Sequence, residues 1–345
     1  MNPADPTIDA LTAEPHRLSR DPTARFLTWA REEVRFAFQP IINPYTGHLY
    51  GVEALMRGQE DLDFTSIHAF FDFSFRMGIL QEVEVLLRGR AMKQFSALDL
   101  GPSVRLFLNI DNRVLLTDDH RAIDTVEAAR AANLAPSRVT LEVSERHQID
   151  RDVSNTETLA QIYRRRQFRI AIDDFGTGFA GLKLLYDQNP DYIKIDRFFI
   201  SGIETDRMKK LFVSQIVSLA QTLGITVIAE GVETEKELLT CKEMGCNLIQ
   251  GYFIERPLIM GADLRGAYPR VRDLRKGETD RRFIDQELSM PAPIRNSSDI
   301  MATFEHFREN KNMTFFPVVD DMDEPLGIIR EEDLKDFTYS RYGKD

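Results

Sequence analysis

The run Ala171–Gly178, reading Ala-Ile-Asp-Asp-Phe-Gly-Thr-Gly, ends an apolar strand on two adjacent carboxylates and then turns on two glycines. Successive strand residues point to opposite faces, so Asp173 and Asp174 can share a site only where the strand stops and the backbone turns. Two carboxylates so placed can hold a metal ion; a solvated acidic turn is the other reading of the same residues, and the remaining strands decide between them. Glu53, Asn109, Glu142, Asp173 with Asp174, Lys194 with Asp196, Glu230 and Gln250 close successive apolar runs. Carboxylates with one amide, and no His-x-His or His-Glu-x-x-His spacing, are hard oxygen donors suited to Mg²⁺ or Mn²⁺, with Ca²⁺ an inhibitory competitor. Adjacent aspartates let one carboxylate bridge two ions about 3.5–4 Å apart, the arrangement that activates water and stabilises both oxygens of an in-line phosphoryl displacement. Phosphodiester hydrolysis is the natural reaction of such a set. Lys194 could hold or deprotonate the water, or neutralise phosphate; a structural pair with Asp196 is the alternative.

The elements that must position these groups are short apolar or β-branched runs at Phe36–Ile41, Tyr50–Met56, Arg105–Ile110, Arg138–Val143, Arg169–Ile172, Tyr192–Ile195, Thr226–Ala229 and Leu248–Phe253. Helical-period segments such as Phe70–Phe95, Ala122–Asn133, Thr156–Gln167 and Lys209–Leu223 separate most of them, the alternation expected of βα units and a parallel sheet. Eight strands favour an α/β chain folded as a TIM-like (β/α)8 barrel, whose C-terminal rim carries ligand chemistry from several strands. The first two runs are joined by Asn43–Gly47, too short for a crossover helix, so one strand should pair antiparallel. A flexible leader is expected over 1–22, the barrel over 23–265 with a first helix around Phe26–Val34, and a linker or terminal helix over 266–285. A small α+β unit should follow over 286–345: a helix at Ile300–Phe307, strands at Phe315–Val319 and Leu326–Ile329, and a helix at Glu331–Phe337. Alone it is small for a stable core, which implies partner burial or dimerisation.

The 345 residues carry a net charge of −11, with no basic block interleaved with aromatics, so a nucleic-acid polymer is not expected as a partner. The only cysteines, Cys241 and Cys246, fall in an expected helix and cannot complete a thiolate zinc site. They read as buried free thiols of a reducing compartment. No signal-like start and no uninterrupted apolar span is present, so a cytoplasmic protein without a membrane partner is expected.

The set of strand ends resembles the EAL-domain family of cyclic di-GMP phosphodiesterases, named for Glu-Ala-Leu, here Glu53-Ala54-Leu55. The likeness covers about residues 34–260. It includes Phe38-Gln-Pro-Ile41, Glu53-Ala-Leu-Met-Arg57, Leu108-Asn109, Leu141-Glu-Val-Ser-Glu145, Asp173-Asp-Phe-Gly-Thr-Gly178, Ile193-Lys-Ile-Asp196, Ala229-Glu-Gly-Val-Glu233 and Gln250-Gly-Tyr-Phe253. The resemblance implies that Glu53, Asn109, Glu142 and Asp173 bind one metal and that Asp173, Asp174 and Glu230 hold the second. It implies a catalytic set of Glu53, Lys194, Glu230, Gln250 and Glu145, with Lys194 acting on the water and Glu145 bracing the Asp173–Gly178 loop. Gln39 and Arg57 would contact nucleotide and phosphate, with Leu55, Asp196 and Glu233 completing the substrate-binding set. The implied reaction is hydrolysis of cyclic di-GMP to linear pGpG in bacterial second-messenger signalling, by a homodimer. A receptor that binds cyclic di-GMP without cleaving it, and signals through a partner or fused domain, is the alternative.

Two departures mark the substrate edge and docking surface. Gly58 follows Arg57 where many members carry Trp, and Phe70-Phe-Asp-Phe-Ser-Phe75 stands where many carry Phe-Ile-Pro-x-Ala-Glu. No implied metal ligand is missing. The C-terminal unit is similar to half of a CBS pair through Phe316-Pro-Val-Val-Asp320 and Leu326–Leu334. Because CBS motifs come in pairs, a longer protein with a fused C-terminal signalling domain, or pairing between two chains, is expected.

Overall fold

A computed structural model describes residues 22–62, 64–117, 121–144, 158–176, 181–259, 264–274, 291–310, 313–321, 325–330 and 334. The chain divides into two compact units, Met1–Arg275 and Lys276–Asp345. In the first, α1 (Pro22–Glu32) precedes β1 (Arg35–Ile42), which turns back into β2 (Leu49–Arg57). Asn43 makes that turn: its side-chain oxygen accepts from the Tyr45 and Thr46 amides at 2.8 and 3.1 Å. After β2 come α2 (Ile67–Arg76) and α3 (Leu80–Ser96), then β3 (Arg105–Ile110), α4 (Ala122–Ala131) and β4 (Val139–Ser144). The chain continues through α5 (Leu159–Arg164), β5 (Arg169–Phe175), α6 (Gly181–Gln188) and β6 (Tyr192–Ile195). Then follow α7 (Arg197–Ile200), α8 (Arg207–Leu223), β7 (Thr226–Ala229), α9 (Glu235–Glu243) and β8 (Leu248–Gln250).

Strands β2 to β8 pair in parallel in sequence order, and β1 closes the ring between β2 and β8, antiparallel to both. The result is an eight-stranded TIM-like barrel with one reversed strand. Short helical termini are set by local chemistry. Thr158 and Thr234 each form a capping box, with Gln161 and Glu237, and Gly224 ends α8 in the left-handed region at φ +70°. Inside the barrel, Ile41, Phe107, Ala171, Tyr192, Ile228 and Leu248 pack as a plug. The larger apolar layer lies between strands and helices, where Phe26 meets Phe70 and Phe73 at centroid separations of 4.9 and 5.2 Å.

Several expected boundaries shift for identifiable reasons. The segment Phe70–Phe95 is two helices, because Gly78 adopts φ +71° between α2 and α3. Cys246 lies beyond α9, which ends before Gly245 at φ +83°; both cysteines are buried and free. The first helix begins at Pro22, inside the stretch expected as leader; the rest of 1–22 lies outside the described residues. β9 (Leu258–Ile259), which pairs with β1, is a short element without a sequence signal, and α10 (Pro269–Asp273) falls within the stretch expected as a linker or terminal helix. Residues around α10 belong to the barrel unit: Tyr268 N donates to Gly47 O at 2.7 Å and Leu49 N to Gly266 O at 3.0 Å.

Gly251, just after β8, lies so close to the chain after β7 that a Cβ there would stand 2.1 Å from Val232 O and 2.3 Å from Val232 N. The Val232 N–H donates to Gln250 O at 3.1 Å across this approach. Gly251→Ala is therefore expected to destabilise the barrel by about 1–3 kcal/mol, read as a lower urea midpoint.

In the second unit, β10 (Ile294–Arg295) pairs parallel with β11 (Phe315–Val319), which pairs antiparallel with β12 (Pro325–Arg330). The intervening helix α11 (Ile300–Glu309) is capped by Asp299, and Ile294, Phe307, Phe316 and Leu334 form its core. The expected helix at Glu331–Phe337 falls, apart from buried Leu334, outside the described residues. Among the described residues no helix is long and apolar enough to cross a membrane.

Candidate active site

The C-terminal ends of the parallel strands bring their polar residues to one rim. Lys194 on β6 is the centre of the cluster. Its side chain is 1% exposed, and Nζ lies 2.6 Å from Glu230 Oε1, 2.7 Å from Glu142 Oε1, and 3.2 Å from both Glu53 Oε2 and Asp173 Oδ1. Two amides bind the carboxylates together. Asn109 Nδ2 donates to Glu53 Oε1 at 3.0 Å and to Glu142 Oε2 at 3.2 Å, and Gln250 Nε2 donates to Glu53 Oε2 at 2.7 Å. Gln250 Nε2 also reaches Gln39 Oε1, at 3.0 Å.

The adjacent aspartates share the rim because β5 breaks its ladder there. Pairing with β6 shifts register between Ile172 and Phe175, and Asp174 adopts φ +55°. Gly176 continues the turn at φ +98°, where a Cβ would meet the Phe199 ring at 2.7 Å. One carboxylate oxygen from each of Asp173, Asp174 and Glu230 then falls within 4.8 Å of the others.

Electrostatics follow from one buried ammonium among several acids. Burial opposes the charge on Lys194, but Asp173, Glu142, Glu230 and Glu53 hold it well above the ordinary lysine range. Burial pushes Glu142 and Glu230 well above the usual carboxylate range, with Glu53 adding to the repulsion at both. Glu53 goes the other way: burial raises it, but Lys194, Gln250 and Asn109 outweigh that and lower it. Four carboxylates around one ammonium, with Asp174 beside them, leave an excess of negative charge, and Asp173 Oδ1 and Glu142 Oε1 are buried without hydrogen-bond geometry to any donor among the described residues, despite their ion-pair distances to Lys194. Such an oxygen-donor set fits hard divalent cations.

A cavity of about 280 Å³ opens over this cluster, lined by Gln39, Glu53, Asp173, Lys194, Glu230 and Gln250 on the barrel side. Its outer wall holds Asp196, Arg197, Glu233 and Tyr252. Asp196 caps α7 by accepting from Phe198 N at 2.8 Å, and Glu233 pairs with Arg197 at 2.8 Å. Leu55 and Arg57 stand elsewhere. Leu55 lines a neighbouring apolar cavity with Asn109, and Arg57, at the end of β2, donates from Nη1 to Met56 O at 2.8 Å. Glu145 lies outside the described residues. Reading the strand ends misses Glu237, whose carboxylate accepts from the Gly202, Glu233 and Thr234 amides at 2.8–2.9 Å and so fixes the loop that carries Glu233. The Thr234-x-x-Glu237 spacing is the signal that marks it.

The sequence profile of the EAL domain family matches residues 24–257. The chain belongs to the EAL domain family. The match ends within the first unit, and the chain spans less than half the length of the curated relatives it matches. Cyclic di-GMP phosphodiesterase NbdA of Pseudomonas aeruginosa is 29% identical over 238 residues, 67% of this chain and 30% of that protein. A standalone versatile EAL protein from Vibrio cholerae O395, solved in a c-di-GMP bound form, has a TM-score of 0.58 at 26% identity over 70% of this chain and 98% of that one. BlrP1 of Klebsiella pneumoniae, solved as a calcium and cyclic di-GMP complex, has a TM-score of 0.58 at 27% identity over 72% of this chain and 59% of that one.

Proposed function

We propose that the barrel is a metal-dependent phosphodiesterase that hydrolyses cyclic di-GMP to linear pGpG. The observation that carries this reading is the convergence of Glu53, Glu142, Asp173 and Glu230 on Lys194, with Asp174 beside them, at one rim of the barrel. Glu53, Asn109, Glu142 and Asp173 would hold one Mg²⁺ or Mn²⁺ ion, and Asp173, Asp174 and Glu230 the other. When bound, the ions acidify water and neutralise the phosphate. The protein's own groups do the rest. Asn109 and Gln250 orient Glu53, and Lys194, charged because it is surrounded by carboxylates, donates to the attacking water or to a phosphate oxygen. Water's oxygen bonds to phosphorus as one P–O3′ bond breaks, and the departing oxygen takes up a proton. Gln39, Asp196 and Glu233, which line the cavity over the cluster, would meet the nucleotide; Leu55 and Arg57 do not line that cavity.

Metal removal tests this reading. With Mg²⁺ or Mn²⁺, pGpG formation is expected; with chelator it should stop, and added Ca²⁺ should inhibit in competition with Mg²⁺. Turnover unaffected by chelator would overturn the two-metal reading, and tight binding of cyclic di-GMP with no product would move it to a receptor.

Self-association is part of this proposal. Leu182 and Tyr186 on α6, 70% and 88% exposed, Phe198 on α7, and Leu211, Phe212 and Leu223 on α8 are large apolar side chains left open to solvent. Phe199 joins the latter two helices, 5.1 Å from Phe198 and 6.3 Å from Phe212 between ring centroids. An apolar surface of this kind favours a partner, and a second copy is the one proposed. Light scattering should report a dimer that Phe212→Glu converts to monomers; a monomeric parent chain would contradict it. The β-α-β-β order of the second unit, with Leu326 and Ile328 exposed on β12, supports reading it as half of a CBS-like pair. Buried free Cys241 and Cys246 support a cytoplasmic setting.

A further inference from the structure

A second cavity, of about 180 Å³, lies between α2, α3 and the strands β2 and β3. Its wall is mostly apolar, with Leu55, Met56, Phe71, Leu87, Ala91 and Leu108. Two ion pairs interrupt it, Asp111 with Arg113, 2.6 Å apart, and Glu84 with Arg88. Arg88 on α3 is 2% exposed and donates from Nη1 to Glu84, one turn earlier on the same helix. Glu84 is held from the other side, its Oε1 accepting from the Asp111 amide at 2.8 Å.

The remaining donors of Arg88 are unmet. Nε and Nη2 are buried and have no acceptor among the described residues. These two N–H groups share one edge of the guanidinium, the edge that holds a carboxylate by two parallel bonds. Burying donors without acceptors is costly, and well-packed apolar residues in place of a buried ion pair are often at least as stable. Glu84 serves the Asp111 amide, but nothing among the described residues serves the Nε/Nη2 edge of Arg88; a ligand acceptor would. Burial also pushes Glu84 up to about 7, which weakens its claim on the guanidinium charge near neutrality. The size is suited to a small body, since an apolar cavity of about 150 Å³ admits benzene.

We propose that this cavity binds a small organic monocarboxylate with an apolar body, its carboxylate on the free Nε/Nη2 edge of Arg88 and its body against Met56, Phe71 and Leu87. The site is distinct from the acidic rim, although Asn109 borders both: it lines this cavity and donates to Glu53 and Glu142. The inference does not depend on the hydrolase reading.

Calorimetric titration of the full chain with sodium benzoate tests it. Saturable binding is expected with a Kd of about 1 mM or tighter, and benzyl alcohol, which keeps the ring and lacks the carboxylate, should bind at least about tenfold more weakly. The double variant Glu84→Gln/Arg88→Met removes both charges together, so that neither is left alone, and should lose benzoate binding. Ala91→Leu leaves the charges in place but narrows the cavity, and should lose it too. Absence of saturable binding in the parent chain, or equal binding by the double variant, would overturn the proposal. So would displacement of benzoate by cyclic di-GMP with Ca²⁺ present, because the cavity would then belong to the nucleotide's own site.

Discussion

Replacing Glu53 by alanine is expected to lower cyclic di-GMP turnover by about a thousandfold or more while the barrel stays folded. Glu53 is buried, and its two oxygens take hydrogen bonds from Asn109, Lys194 and Gln250, residues of three other strands. Truncation releases all three at once and removes a proposed metal donor, so both positioning and charge are lost. The fold should tolerate this. The site holds more carboxylates than its single ammonium neutralises, and removing one relieves repulsion at Glu142 and Glu230. Glu53→Gln makes the comparison sharper, because it keeps the shape and an acceptor oxygen but not the charge. Chromatography of the products beside circular dichroism of each variant reads the two effects separately. Retained turnover in Glu53→Ala would remove the acidic rim from the chemistry.

Lys194→Met should be inactive and, unlike Glu53→Ala, unstable in the absence of divalent metal. Removing the cation of a buried ion-paired cluster typically costs about 3–5 kcal/mol. Glu142 and Glu230 are already well above the usual carboxylate range with Lys194 present, and without it they should hold protons that the unfolded chain releases. A native state that binds more protons than the unfolded one loses stability as pH rises, so the variant's urea midpoint should climb as pH falls towards the ordinary carboxylate range. Mg²⁺ should recover part of the loss at the higher pH, since a cation held by the same oxygens replaces the missing charge. A variant as stable as the parent, with no response to pH or Mg²⁺, would mean that the cluster is not coupled as its distances indicate.

The barrel was legible because its strands are apolar on both faces and end abruptly on polar residues; a run such as Arg105–Ile110 has no other use for a terminal Asn109. The antiparallel pairing of β1 with β2 followed from the short Asn43–Gly47 turn, whereas its closing against β8 had no local signal. What decides the site's fine geometry was not legible. That Asp173 and Asp174 face one cluster depends on a left-handed Asp174 and a register shift, and an aspartate gives no sequence sign of positive φ. Gly78, by contrast, breaks Phe70–Phe95 at a residue whose type permits the break, but periodicity runs straight through it. Glu84 and Arg88 illustrate a different failure: charges one helical turn apart ordinarily mark a solvated face, and only packing shows that this pair is buried. Where Arg57 points is likewise a matter of the loop after β2, beyond what the strand pattern specifies.

The most direct test of the central claim is the mass of the product formed from cyclic di-GMP in ¹⁸O-enriched water with Mn²⁺. The account predicts linear pGpG carrying solvent oxygen on its terminal phosphate, formed by the parent chain, absent with chelator and absent with Glu53→Ala. Unchanged cyclic di-GMP recovered from a chain that binds it would contradict hydrolysis, and labelled pGpG from Glu53→Ala at the parent rate would contradict the site.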